Sequence, residues 1–223
     1  MKKKSYIVAI TGASGSIYGF RLLGELIKHN FYVYLIISKP AFKVIKNELN
    51  MFTEANFNNE NNKINIENVY DEIKSKFKID NKDNYEYLDE MFIEAKISSG
   101  SAPGIRGMAV IPCSMGSLSR IANGSSGNLI ERASDVMLKE HKKLIISPRE
   151  TPLNDIHLKN MLSLTRSGAV ILPPIPAFYN KPESIDDMVN FIIGKIMDSF
   201  EIENNIYKRW GLMINRIKIN DKL

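Results

Sequence analysis

Residues 8–20, VAITGASGSIYGF, constrain the fold more than any other stretch of the chain. An apolar strand, Ser5 to Ile10, runs into a turn carrying Gly12 and Gly15, and the turn opens an amphipathic helix through about Lys28. Glycines let such a turn approach a ligand closely, and the N–H groups of the first helical turn face an anion. Strand, glycine turn and helix N-terminus in that order predict an α/β protein with a phosphate at the end of its first strand.

Short continuous apolar runs recur at 32–38, 107–112, 143–147 and 169–172, the pattern of parallel strands buried on both faces. Helical patterns lie at 15–28, 40–50, 115–122, 128–141 and 154–166. A last helix is marked by Ile185, Met188, Val189, Ile192, Ile193, Ile196, Met197 and Phe200 at helical spacing. This alternation predicts a doubly wound parallel sheet, a three-layer α/β fold. Residues 52–90 break it. The Asn-rich NFNNENNKINIEN and the charged, helix-like VYDEIKSKFK read as a solvated, partly disordered excursion between the second and third strands. One domain is expected over 1–200, with 201–223 as a C-terminal extension whose Trp210 packs on a neighbour.

Bulk composition narrows the function classes. A length of 223 residues suits one large domain, and no apolar run approaches a membrane span. The basic start, MKKKSY, is not followed by a secretory apolar region. The single Cys113 rules out an internal disulfide framework and fits a cytoplasmic protein without a structural zinc or iron–sulfur site. The net charge is +5, but the lysines are scattered and no aromatic-basic module accompanies them, so neither nucleic acid nor membrane is expected as a partner.

Which phosphate binds is decided by the rest of the text. The dehydrogenase form of TGASG would place glycines where Ser16 and Tyr18 stand. A dinucleotide site also wants an acidic residue after the second strand, where this chain has Ser38-Lys39. Tyr70 and Lys74 have the Tyr-x-x-x-Lys spacing but lie inside the polar excursion. NAD is disfavoured, and a mononucleotide such as FMN stays open. Pro112-Cys113-Ser114-Met115-Gly116-Ser117 and Ser147-Pro148-Arg149-Glu150-Thr151-Pro152 follow two further strands. The first reads as an anion or ring cradle, or as an ordinary turn with a Ser cap. The second offers a guanidinium for a phosphate and a carboxylate to move a proton, or a self-paired salt bridge. Arg132 and Lys139 share one helix face about 10 Å apart, with Asp135 between them, which fits a cationic pocket or a solvated ion network. Lys195 flanks the apolar face of the last helix, and Tyr179 lies on a Pro-rich loop. His157 reads as a capping or packing residue, His29 and His141 as surface residues.

Taken together, ITGASGSIYGFRLL, IISKPA, SSGSAPG, MAVIPCSMGSLSRIANG, the segment from NLIERASDVMLKEHKKLIISPRETP to PPIPAFYNKP, and the final helix resemble the UbiX-type flavin prenyltransferases. The resemblance spans most of the chain except about 50–92 and the tail. It implies a Rossmann-like, flavodoxin-type subunit assembled as a dodecamer, with FMN near subunit interfaces and no metal. It further implies transfer of a dimethylallyl group from dimethylallyl monophosphate to N5 and C6 of reduced FMN, the product serving a UbiD-type decarboxylase. Residue by residue, it places Gly12, Ala13, Ser14, Ser38, Ser114, Met115, Gly116, Ser117 and Arg149 on FMN. Tyr179, Lys195, Arg132 and Lys139 fall on the prenyl phosphate, and Glu150 and Glu48 are the pocket's acidic residues. Ser14, Glu150, Lys139 and Glu48 are the expected catalytic set. Lys195 stands where the family usually has arginine, which keeps the charge and loses the bidentate fork. The alternatives are a cysteine-type decarboxylase of the same superfamily, which would need a catalytic histidine near His29, or a non-catalytic FMN carrier.

Overall fold

The computed structural model describes residues 3–52, 57–58, 63–79 and 82–210. The chain forms two compact units, Met1–Pro173 and Pro174–Leu223. In the first, the elements are β1 (Ser5–Ile10), α1 (Ser16–Lys28), β2 (Tyr32–Ile37), α2 (Lys39–Leu49), β3 (Phe57–Asn58), β4 (Lys63–Ile64), α3 (Ile66–Phe77) and β5 (Tyr85–Asp89). There follow β6 (Ile105–Cys113), α4 (Met115–Ala122), α5 (Leu129–Lys139), β7 (Lys143–Pro148), α6 (Asp155–Arg166) and β8 (Val170–Ile171).

The main sheet has the order β5-β2-β1-β6-β7-β8, and every neighbouring pair is parallel. The chain builds outward from β1 to β2 and β5, then returns to lay β6 on the other side of β1. The order therefore reverses between β1 and β6, and ligands of open parallel sheets bind in the crevice at the carboxyl ends flanking such a reversal. All six residues of β1 are buried, as a strand covered on both faces must be. On one face Ile7, Ala9, Ile36, Met108, Val110, Leu144 and Ile146 pack with Leu118, Leu129, Ala133, Val136, Met137 and Leu164 of α4, α5 and α6. The alternate residues Val8, Ile10, Leu35 and Ile37 are also buried, and α1 packs against β1, β2 and β6. Each such aliphatic side chain contributes about 1.5–3 kcal/mol of burial.

The doubly wound α/β fold and the strand and helix positions agree with the sequence-based expectation to within a few residues. The exception is 52–90, which is not one solvated excursion. It carries α3 and then β5, an edge strand of the main sheet paired with β2 from Val33↔Tyr85 to Ile37↔Asp89. Tyr85 and Tyr87 are buried, and the Tyr87 N–H donates to the Tyr70 hydroxyl at 2.9 Å. Tyr70 is thereby a packing residue of α3, its ring 5.1 Å from that of Tyr85. Residues 53–56, 59–62 and 80–81 of that stretch lie outside the described residues.

The second unit is built on α7 (Ile185–Ser199), which opens with a capping box between Ser184 and Asp187. The following segment folds back on α7. Arg209 donates to both oxygens of Asp198 at 2.7 and 3.0 Å, the Tyr207 hydroxyl donates to it at 2.6 Å, and Asn204 Nδ2 at 2.9 Å. Burial alone would raise the Asp198 carboxyl; these donors outweigh it and hold it below the ordinary value. Trp210 meets Tyr179 of the same chain edge-on at 5.1 Å. Residues 211–223 lie outside the described residues.

Candidate functional site

Four strand ends of the first unit meet at the crevice, and Thr11 ties two of them together. It is fully buried directly after β1, its N–H donating to the Pro112 carbonyl at 3.1 Å and its Oγ1 donating to the same carbonyl at 2.9 Å. Oγ1 also accepts the Ser114 N–H at 2.7 Å. One hydroxyl therefore fixes the turn after β1 against the turn after β6. Sequence reasoning passed over Thr11; the available signal was a buried-strand run ending in a hydroxyl residue before the glycine turn.

At α1 the turn takes the expected shape. Gly15 is the N-cap with φ 102°, a left-handed conformation that glycine adopts without steric cost. Gly19 lets α1 sit close to the sheet, because a Cβ there would fall 2.5 Å from the Ile10 side chain and 2.7 Å from the Ile111 carbonyl oxygen. The anion at this helix end, however, belongs to the chain itself. Gly15 N–H donates to Glu48 Oε1 at 2.9 Å and Ser16 N–H to Oε2 at 2.9 Å, with Glu48 reaching over from α2. Burial alone would raise the Glu48 carboxyl. Hydrogen bonds from the Ser14 side chain and the Ser16 and Gly15 N–H groups outweigh it and hold the group below the ordinary carboxylate value. The exposed Ser14 stands at the crevice with its hydroxyl directed by Glu48.

α2 shows the same arrangement. Lys39 N–H donates to Glu90 Oε1 at 2.6 Å, Pro40 has no N–H, and Ala41 N–H donates to the Ser38 carbonyl at 2.9 Å. Ser38, at the end of β2, is buried, and its hydroxyl has no partner among the described residues. An unpaired buried hydroxyl is costly unless something fills it.

At α4 the cap is neutral. Ser114 Oγ accepts the Ser117 N–H at 3.2 Å and donates to Ser117 Oγ at 3.1 Å. Met115 and Gly116 follow in the first turn. Arg120, one turn further on, folds back so that Nη2 lies 3.5 Å from Ser117 Oγ. Its Nε donates to Glu131. Cys113, fully buried, has its thiol pushed up to about 12 by burial, so it is a packing residue and not a nucleophile.

After β7, Arg149 N–H donates to the Cys113 carbonyl at 3.1 Å, which brings this turn beside the Ser114 turn. Arg149 and Glu150 are both exposed, and Glu150 accepts the Thr151 N–H at 3.1 Å rather than pairing with Arg149. The structure thus gathers Gly12, Ala13, Ser14, Ser38, Ser114, Met115, Gly116, Ser117, Arg149, Glu150 and Glu48 at one edge of one sheet.

It does not bring Lys139 there within one chain. Lys139 ends α5, beside Glu140 at 3.8 Å and four residues before β7 begins. It therefore sits at the amino edge of the sheet, and the length of β7, about 17 Å at roughly 3.3 Å per residue, separates the two edges. Arg132 lies on the same helix, with Nε donating to the Ser98 carbonyl at 3.1 Å and Nη1 3.3 Å from Asp135. The ion network read from the sequence forms at Arg132, while the carboxylate nearest Lys139 is Glu140. In the second unit, Lys195 is exposed on α7, and Tyr179 is packed edge-on between Phe191 and Trp210. His157 completes a capping box with Asn154, and His29 Nδ1 bonds the Glu25 carbonyl at 2.9 Å.

The model of the family described as Flavoprotein matches residues 1–197. The chain is 44% identical over 209 residues to the flavin prenyltransferase UbiX of Alkalihalophilus pseudofirmus, covering 94% of this chain and 97% of the relative. Among solved structures, AnUbiX (PadA1) in complex with FMN and dimethylallyl pyrophosphate superposes with a TM-score of 0.79 at 36% identity, over 94% of this chain and 98% of that one. A dodecameric FMN-dependent UbiX-like decarboxylase from Escherichia coli O157:H7 gives a TM-score of 0.76 at 37% identity, over 92% and 98%. These matches run the length of both partners and agree with the strand-end turns already described: the chain belongs to the flavoprotein family and, within it, to the UbiX flavin prenyltransferases.

Proposed function

We propose that this protein joins the dimethylallyl group of dimethylallyl phosphate to N5 and C6 of reduced FMN. The observation that carries the reading is the crevice itself, where hydroxyls, a guanidinium and two carboxylates lie at the strand ends of the switch point and the buried Ser38 hydroxyl has no partner among the described residues. That donor set fits FMN, which combines a polar ribityl chain and phosphate with a ring rimmed by hydrogen-bonding atoms. Gly12, Ala13, Ser14, Ser38, Ser114, Met115, Gly116, Ser117 and Arg149 would hold it. Bound reduced FMN supplies the nucleophilic ring atoms.

The chain's own groups do the rest. Ser14, directed by the ionised Glu48, orients the ring edge to be alkylated. The exposed Glu150, or the released phosphate, would accept the proton lost from the ring. Tyr179, Lys195, Arg132 and Lys139 hold the donor's phosphate and stabilise the charge that grows on it as the allylic bond breaks. An allylic cation needs little beyond positioning and exclusion of water. Lys195 keeps the positive charge at this position without the bidentate fork of an arginine.

Lys139 and Arg132 reach the crevice from another copy of the chain, in a dodecamer like that of the related UbiX-like protein. The exposed Leu153, Ile156, Leu158 and Leu162 on and just before α6 support such an assembly. The product passes to a UbiD-type decarboxylase, and both act in the cytoplasm; no described helix is long and apolar enough to cross a membrane. A cysteine-type decarboxylase is disfavoured because His29, the histidine nearest the required position, bonds a carbonyl of its own helix.

The test is anaerobic incubation with reduced FMN and dimethylallyl phosphate, followed by mass spectrometry of the released flavin. The expected result is FMN carrying one five-carbon unit; unmodified FMN after long incubation contradicts the reading and leaves a carrier. Lys139→Ala should cut turnover by about 100-fold or more with FMN binding retained.

A further inference from the structure

Arg120 has no role in the reading above, yet its guanidinium is anchored beside the first turn of α4. Its Nε is bonded to Glu131, which is 2% exposed. The same carboxylate accepts the Gly127 N–H at 2.8 Å and Asn128 Nδ2 at 3.0 Å, so it cannot turn away without leaving three donors unpaired. Nε on Glu131 and Nη2 toward Ser117 Oγ hold the inner edge of the guanidinium, and two further bonds fix Glu131 itself, while the Arg120 side chain stays about half exposed, at 52%. Its Nη1 lies 3.5 Å from where a Cβ on Gly116 would stand. The outer edge of the fork therefore overhangs the first turn of α4.

Charge around the crevice says what that edge meets. α1, α2 and α4 follow the ends of β1, β2 and β6 there. The first-turn donors of α1 are taken by Glu48, and Lys39 N–H of α2 is taken by Glu90, so both of those ends present a carboxylate. α4 is capped by a neutral hydroxyl, and the Met115 and Gly116 N–H groups have no capping acceptor among the described residues. A phosphate dianion is repelled by the first two ends and attracted by the third, where backbone donors and a fixed guanidinium face the same space. At the neighbouring turn after β2, the buried Ser38 hydroxyl has no partner among the described residues and is left for a polar ligand.

We infer that Arg120 is a further binding residue of this enzyme, contacting the phosphate end of the flavin nucleotide, and that Glu131 is the residue that positions it. This rests on the FMN reading above.

The experiment compares FMN with riboflavin, which lacks the phosphate, by fluorescence quenching on the wild-type protein, Arg120→Met and Glu131→Gln. Arg120→Met keeps most of the aliphatic stem, and circular dichroism melting checks that each variant folds. Loss of a charge-assisted bond should weaken FMN roughly tenfold or more in Arg120→Met, with riboflavin within about twofold. Glu131→Gln should weaken FMN in the same direction by less, since the amide still accepts, and Arg120→Lys should recover part of the loss. Unchanged FMN affinity in Arg120→Met overturns the inference, as does an equal loss of both flavins. Failure of the wild-type protein to bind FMN at all would instead overturn the function proposed above.

Discussion

α1 and α4 enter one crevice by the same strand, turn and helix order, and they end up with opposite electrostatics. At α1 a carboxylate from α2 occupies the first-turn N–H groups, whereas at α4 a serine hydroxyl caps one donor and an arginine overhangs the rest. The glycine turn that dominates the sequence thus ends as the wall that orients a hydroxyl, Ser14, and the less conspicuous PCSMGS turn is the one left open to an anion. A motif specifies where a helix N-terminus points; only the tertiary neighbours decide whether it is still vacant.

The largest effect on this contrast should come from the residue that joins its two sides. Thr11→Val removes the hydroxyl that holds the Ser114 N–H and leaves that donor unpaired inside the protein. We expect a loss of about 1–3 kcal/mol in urea unfolding, together with weaker FMN binding because the two turns lose their mutual register. A change under about 0.5 kcal/mol would mean that the turns are held independently. Next, Gly19→Ala should cost about 1–3 kcal/mol, since its Cβ meets the Ile10 side chain and the Ile111 carbonyl. The matched change on the other side, Gly116→Ala, has its nearest neighbour, Arg120 Nη1, at 3.5 Å and should leave the melting temperature almost unchanged. Equal losses from the two substitutions would remove the distinction between a closely packed α1 and an open α4.

The smallest effect concerns the charge of Glu48. Its carboxyl is lowered in the folded protein, so the stabilisation is complete above the unfolded-state value, about 4.3, and is lost as pH falls through the lower folded value. Glu48→Gln should cost a few tenths of a kcal/mol near pH 7, as expected for a partly exposed charge at a helix end, and should flatten the acid limb of stability. Urea unfolding at a series of pH values reads both. An acid limb as steep as that of the wild-type protein would show that Glu48 is not the titrating cap.

Much of this was legible in the sequence because apolar period and turn chemistry are local. The strands β1, β2, β6 and β7 announce themselves as continuous buried runs, and each ends in its own turn residues. β5 escaped because its signal is the alternation of Tyr85 and Tyr87 within Asn- and charge-rich text, where burial comes from β2 and Tyr70 rather than from its own composition. Glu48 was legible as an acidic residue, but its bond to Gly15 joins positions 33 apart, and no spacing rule reaches that far. Arg120 and Glu131 belong to no spacing motif of the sequence, and only the α4–α5 turn makes them partners. Lys139 was recognisable as a cation, while its place at the opposite sheet edge follows from topology alone.

The most direct test of the contrast between the two helix ends is a crystal structure with FMN bound. The phosphate should lie within hydrogen-bonding distance of the Met115 and Gly116 N–H groups and Arg120, with the Glu48 bonds to Gly15 and Ser16 intact. A phosphate seated on Gly15 and Ser16, with Glu48 turned away, would contradict it.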